Sequence, residues 1–259
     1  MASLSRSSVT NYVNKLNLSP KVLFYSALAV IPIALFPSAY RSYKEYMSLG
    51  PSGPPYNVIG WFFMTIAKPL AKDSRTISVY SRPDALAEGG EFASTSFIKG
   101  ELPQRKGERP TMNRALAPQR QLSDWADEEL KKSIGNHLSD LATQYPKSII
   151  LKLSKLEGGH FPALYLSSDI SPPHNAIRKT KGEFVHIHQN HDGTSHVLLS
   201  ATDATKVLEN KLGERHGLSG VYLPWGYTLL YAPRNKEEAE VVMRIMDASL
   251  AFVTGGNPQ

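Results

Sequence analysis

The sequence predicts an α+β fold, a small antiparallel sheet with helices packed against it, preceded by an N-terminal transmembrane helix. Three observations carry this prediction. Residues 22–40 hold no charged side chain. Short apolar runs between 148 and 232 are punctuated by turn residues, among them Asp192-Gly193, and Asp-Gly between strand-like runs is a hairpin signal. Two longer stretches, 125–142 and 236–253, repeat apolar residues at helical spacing.

Residues 1–21 form a tail ahead of the uncharged segment. The segment VLFYSALAVIPIALFPSAY would span roughly 28 Å as a helix at about 1.5 Å per residue, close to the thickness of a bilayer core. A single-pass anchor is the reading preferred over a cleaved signal peptide, because the run is long for a signal segment. Three cations precede it and two follow, Arg6, Lys15 and Lys21 against Arg41 and Lys44, so charge alone does not orient it. Residues 41–81 combine the turn-rich link Pro51-Ser52-Gly53-Pro54-Pro55 with a second apolar patch, Val58–Ala67. The patch is too short to span. It suits either a helix lying in the membrane interface or a buried first helix of the domain. Residues 82–120, rich in Pro and Gly, read as a long irregular loop, and such a loop in a compact domain is often a lid or binding loop.

Residues 121–259 carry the regular structure. A helix is expected over Trp125–Ala142, with Leu130, Ile134, Leu138 and Leu141 on its apolar face. Strands are expected at Ser148–Leu153, His160–Leu166, Glu183–His188, Thr194–Ser200 and Tyr227–Ala232. A helix is expected over Ala204–Leu212, and Asn235 should cap a last helix running to Val253.

Composition narrows the function. The chain has no cysteine, which removes disulfides, thiolate metal sites and a thiol nucleophile. The absence also leans toward a reducing compartment, so the domain is expected on the cytosolic face of an endomembrane. The net charge is +6, yet no basic block interleaved with aromatics is present, which argues against nucleic acid as a partner.

Four of the eight histidines fall between His186 and His196. On an alternating strand, Phe184, His186 and His188 share one face, while Glu183, Val185 and Ile187 share the other. His196 on the partner strand can come opposite them, and His191 lies in the turn. His186, His188 and His196 together suit a divalent metal, proton transfer with an acidic substrate, or a solvated face. Arg178-Lys179-Thr180-Lys181 suits an anion or solvent. Arg215-His216 is loop-borne. Arg234, just ahead of a helix N-terminus, opposes the helix dipole and so calls for a ligand or a carboxylate partner.

The stretches RKTKGEFVHIHQNHDGTSHVLLS, GERHGLSG and LLYAPRNKEEAEVV resemble the fungal luciferase family. So do YRSYKEYMSLGPSGPPYNVIGW, ISVYSRP and LPQRKGERP upstream. The resemblance implies oxidation of a hydroxylated hispidin, a styryl-α-pyrone, by O2. A strained peroxide then loses carbon dioxide and leaves an emitting product, without flavin, nucleotide or metal. Lys181, Glu183, His186, His188, His191, Asp192, His196, Arg215, His216, Pro233 and Arg234 match the family pattern. The expected partners are therefore a small aromatic substrate and a membrane. His186, His188, His196, Arg215, His216 and Arg234 are the catalytic candidates, and Lys181, Glu183, His191 and Asp192 the substrate-binding ones. The alternatives are a non-luminous homologue acting on another polyketide, a metal enzyme using His186, His188 and His196, and a metabolite-binding protein without catalysis.

Overall fold

The computed structural model describes Ser19, Lys21 and residues 36–259. Most of the predicted anchor, residues 22–35, lies outside the described residues, as does nearly all of the tail. Among the described residues no helix is long and apolar enough to cross a membrane. The chain divides into two compact units, Met1–Ser48 and Leu49–Gln259. In the first, residues 36–48 are helical.

The second unit is α+β. Six strands form one antiparallel sheet in the order β1-β2-β3-β4-β6-β5. These are β1 Ile149–Leu153, β2 Pro162–Leu166, β3 Glu183–Ile187, β4 Ser195–Leu198, β5 Gly213–Arg215 and β6 Tyr227–Leu230. The three-residue strand β5 is absent from the sequence expectation, because a run of Gly, Glu and Arg carries no strand pattern.

The helices, numbered in chain order, are α1 Val58–Ile66, α2 Pro83–Gly89, α3 Glu128–Gln144, α4 Ala176–Lys179, α5 Ala201–Glu209 and α6 Lys236–Val253. Helix α3 starts later than expected because Asp127 caps it, accepting from the Leu130 N–H at 2.8 Å. Asn235 caps α6 as expected. Ser200 caps α5, which therefore begins three residues before the expected Ala204. Ile134 and Leu138 of α3 and Val242, Ile245 and Met246 of α6 join Val185, Ile187 and Val197 of the sheet in the core.

The stretch 82–120 is not wholly irregular. It holds α2, opened by Pro83 at the first helical position, where the missing N–H costs nothing. A 3-10 turn, Gly90–Phe92, follows α2, and beyond it the chain runs as a strap packed on the domain. Arg105 donates to the Ala232 carbonyl, Gln119 to Glu214, and the Gln121 N–H to Asp192. Helix α1 is not a buried first helix: of its residues only Gly60 is buried, while Val58, Ile59, Phe62, Phe63 and Ile66 are all more than half exposed.

Candidate functional site

The hairpin β3–β4 puts His186 directly opposite His196. The rings of His186, His188 and His196 lie within 5.3 Å of one another, centre to centre. Gly193 makes the turn possible: it has a φ of +81°, and a Cβ there would come within 2.7 Å of the Ala126 methyl.

Strand β3 does not alternate cleanly. Ala163 pairs with His186 and Leu164 with Val185, but Tyr165 pairs with Glu183. Phe184 is thus an extra residue, a bulge that breaks the period of two. It turns Phe184 into the core beside Val185 and Ile187, where Ser249 of α6 donates to its carbonyl at 3.2 Å. It also brings Glu183 onto the histidine face. The expected parity is corrected for both residues. The Glu183 carboxylate meets His186 Nδ1 at 2.7 Å and accepts from Tyr165 (2.5 Å), Ser154 (2.7 Å) and the Lys155 N–H (3.0 Å). Burial works to raise its pKa and is outweighed by His186, Tyr165 and Ser154, which hold it below the usual range. Glu183 is fully committed inside the protein and orients His186.

His188 has a matching support. Its Nδ1 lies 2.7 Å from Thr194 Oγ1, which donates to Asp192 Oδ1 at 2.8 Å. Asp192 also accepts from the N–H groups of Gln121 and Thr194. Burial again opposes ionisation and is outweighed, here by hydrogen bonds with His188 and His191, so the Asp192 carboxyl sits well below its ordinary value. Asp192, like Glu183, is a positioning group.

Two residues absent from the sequence expectation complete the cluster. Glu157, in the β1–β2 loop, brings Oε1 to 3.8 Å from His186 Nε2 and 3.7 Å from His188 Nε2. Arg120, from the strap, donates to Glu157 Oε2 at 2.5 Å and reaches His188 Nε2 at 3.0 Å. Burial works to raise the Glu157 pKa, but the Arg120 charge and the imidazoles hold it well below the usual range. The signals were faint: a Glu-Gly-Gly loop, and one arginine in an irregular stretch.

A cavity of about 590 Å³ opens onto this cluster. Its walls are apolar, with Met64, Ala67, Leu70, Leu116, Leu218 and Leu223, and its polar end is formed by Glu157, His196, His216 and Tyr227. Lys181 also lines it. Tyr227 stacks on His196, with centres 5.1 Å apart and 10° between planes. Burial raises the Tyr227 pKa well above normal and keeps the phenol neutral. Burial first, then neighbouring His186 and His188, holds His196 well below its ordinary value, so it is neutral. Burial lowers His216 to about 4. The Leu218 N–H donates to His216 Nδ1 at 3.0 Å, which leaves the proton of the neutral ring on Nε2.

The structure does not bring every expected residue here. Arg215 is buried with its guanidinium against the Asp73 carbonyl and 5.4 Å from the Trp225 ring centre. Arg215 ends β5 and His216 follows it, and of the two only the histidine lines the cavity. Arg234 is held by Glu238, one turn into α6. That carboxylate offsets the unfavourable dipole. His191 packs on Trp125, 4.9 Å between centres, and is absent from the cavity wall. His186 and His188 stand behind His196 and Glu157 rather than on the wall.

The apolar cavity thus ends on imidazoles backed by ordered carboxylates, an arrangement that can exchange protons with a bound molecule. A sequence model of the Luciferase domain matches residues 181–249. The luciferase of Neonothopanus nambi is 30% identical over 263 residues, covering 97% of this chain and 94% of that protein. Those of Armillaria gallica and Armillaria mellea are each 33% identical over 242 residues, covering 88% of this chain and 86% of theirs. No solved structure matches the chain. The chain belongs to the fungal luciferase family, whose members are oxygen-using oxidoreductases.

Proposed function

We propose that the protein is a membrane-bound oxygenase that uses O2 to oxidise a 3-hydroxyhispidin-type styryl-pyrone, with light emission where the excited product is shielded from water. The observation that supports this best is the apolar cavity ending on Glu157, His196 and His216. Its volume lies in the range of about 300–1,000 Å³ common for sites that enclose a small organic ligand. The styryl arm suits the Leu- and Met-lined walls, and the acidic enol suits the polar end. The enol proton passes to His196 or Glu157, the acceptors on the wall. His216 donates from Nε2 to the developing oxyanion, and Lys181 adds positive charge. The electron-rich enolate then bonds to O2, and the strained peroxide so formed expels carbon dioxide. O2 is the co-substrate, with no flavin or nucleotide in the scheme.

An oxygen electrode and a photon counter test this with a 3-hydroxy-α-pyrone and the purified protein. Uptake well above the spontaneous rate is expected, falling about 10²- to 10⁴-fold in His196→Ala. Uptake at the spontaneous rate in both proteins would sink the reading in favour of a metabolite carrier. Uptake without photons would make the protein a dark homologue.

The membrane part of the proposal rests on the uncharged segment 22–40 and on α1. Met64 of α1 faces the cavity while Ile59, Phe62, Phe63 and Ile66 are exposed, and Lys68 and Lys72 follow in exposed positions. An apolar face flanked by cations suits an anionic lipid surface, and it lets a membrane-dissolved substrate enter without crossing water. With substrate delivered in phospholipid vesicles, Phe62→Ser/Phe63→Ser is expected to raise KM about tenfold or more while kcat holds, since each buried phenyl is worth roughly 1.5–3 kcal/mol. An unchanged KM would take α1 out of the interface.

A further inference from the structure

We propose that Glu157, His186, His188 and His196 bind one divalent transition-metal ion. Each offers one ligand atom, and the four atoms lie within 4.8 Å of one another. Bonds of about 2.0–2.2 Å to a common ion place adjacent donors about 3–3.5 Å apart. His186 Nε2 and His188 Nε2 are already 3.2 Å apart, and Glu157 Oε1 needs only a few tenths of an ångström more from each.

The tautomers point the same way. His186 uses Nδ1 toward Glu183 and His188 uses Nδ1 toward Thr194 and, through it, Asp192. That leaves a lone pair on each Nε2, and the two lone pairs face each other. A cation fits between them, either a shared proton or a metal ion bound in its place. Carboxylates behind metal-binding imidazoles, fixing the tautomer from the Nδ1 side, are the usual support of such sites. The buried carboxylates agree: Glu157, Glu183 and Asp192 surround the imidazoles with Arg120 beside them, and such a setting favours a cation on the ring nitrogens. Arg120 already approaches His188 Nε2, and an ion would displace that contact while Arg120 keeps Glu157 Oε2. Three imidazoles, one carboxylate and no sulfur suit iron, manganese, cobalt, nickel or zinc rather than calcium. Glu157 and His196 open onto the cavity, so the ion would meet the substrate.

The use of this ion rests on the proposed oxygen chemistry; its binding does not. When bound it supplies a Lewis acid for the enol oxygen. The four side chains are then ligands, and His216 keeps its part as the Nε2 donor to the substrate oxygen.

Metal analysis of the purified full chain, then titration of chelator-treated protein with Co²⁺ followed by visible absorption, tests the inference. One Co²⁺ per chain with the intense bands of four- or five-coordination is expected. Affinity should fall at least tenfold in Glu157→Gln and in His196→Gln, and about 10- to 100-fold in Glu183→Gln, which only orients His186. His174→Gln, a histidine outside the cluster, should leave it unchanged. Circular dichroism identifies any variant that fails to fold, and the wild-type titration then decides. No saturable binding to the folded wild type, or binding that survives both Glu157→Gln and His196→Gln, overturns the inference. Oxygen uptake by protein that binds no metal overturns it while leaving the oxygenase reading standing. Stoichiometric binding without oxygen uptake does the reverse.

Discussion

Arg120→Met is expected to destabilise the fold by about 3–5 kcal/mol and to abolish activity. Arg120 is fully buried, and its guanidinium stands against Glu157 at 2.5 Å and His188 at 3.0 Å. Removing one partner of a buried ion pair strands the other charge in a low dielectric, which costs several kcal/mol. Glu157 would take up a proton or draw in water, and either change moves Oε1 relative to His186 and His188. Urea denaturation with matched m-values measures the loss. The double variant Arg120→Met/Glu157→Leu discriminates between causes, because replacing both charges with apolar groups removes the stranded ion. It should regain much of the lost stability and none of the activity. A double variant no more stable than Arg120→Met would show that the loss comes from packing of the strap, not from the charge.

That dependence explains which parts of the site could be read from the sequence. The hairpin was legible because Asp192-Gly193 and the β-type runs around it are local signals, and the pairing of His186 with His196 follows from the turn. Helices α3 and α6 were legible because their apolar periodicity and Asn235 cap are local too. The face of Glu183 was not, since alternation holds only for an unbroken strand, and the Phe184 bulge is set by how β2, β3 and Ser249 pack. Glu157 and Arg120 come from loops on separate parts of the chain, 37 residues apart. Only the folded sheet brings them to the same imidazoles. Arg215 and Arg234 show the converse. Their neighbours in sequence made them attractive, but the fold turns Arg215 toward the Asp73 carbonyl and Trp225 and pairs Arg234 with Glu238.

Acid should unfold the protein in a window that begins near pH 6.5, and His174 should account for about 3 kcal/mol of the loss between pH 7 and pH 4. His174 is buried, its ring stacked on Phe252 at 4.0 Å between centres, with Nε2 donating to the Phe252 carbonyl at 3.2 Å. Burial lowers its pKa from 6.5 to about 4. The folded state therefore binds fewer protons than the unfolded state between these two values. The stability it contributes is complete above 6.5 and drains away as pH falls through 4. Glu157, Glu183 and Asp192 act in the same direction at lower pH. Their folded pKa values lie below the ordinary carboxylate range, so their contribution is present above that range and is lost as they protonate. His174→Gln separates the two sources, because glutamine can still donate to the Phe252 carbonyl but does not titrate. Urea unfolding at pH 7 and pH 4 should show the wild type losing about 3 kcal/mol more than the variant, and equal losses would mean that His174 is already protonated in the folded protein at pH 4 or that the ring opens to water before it titrates.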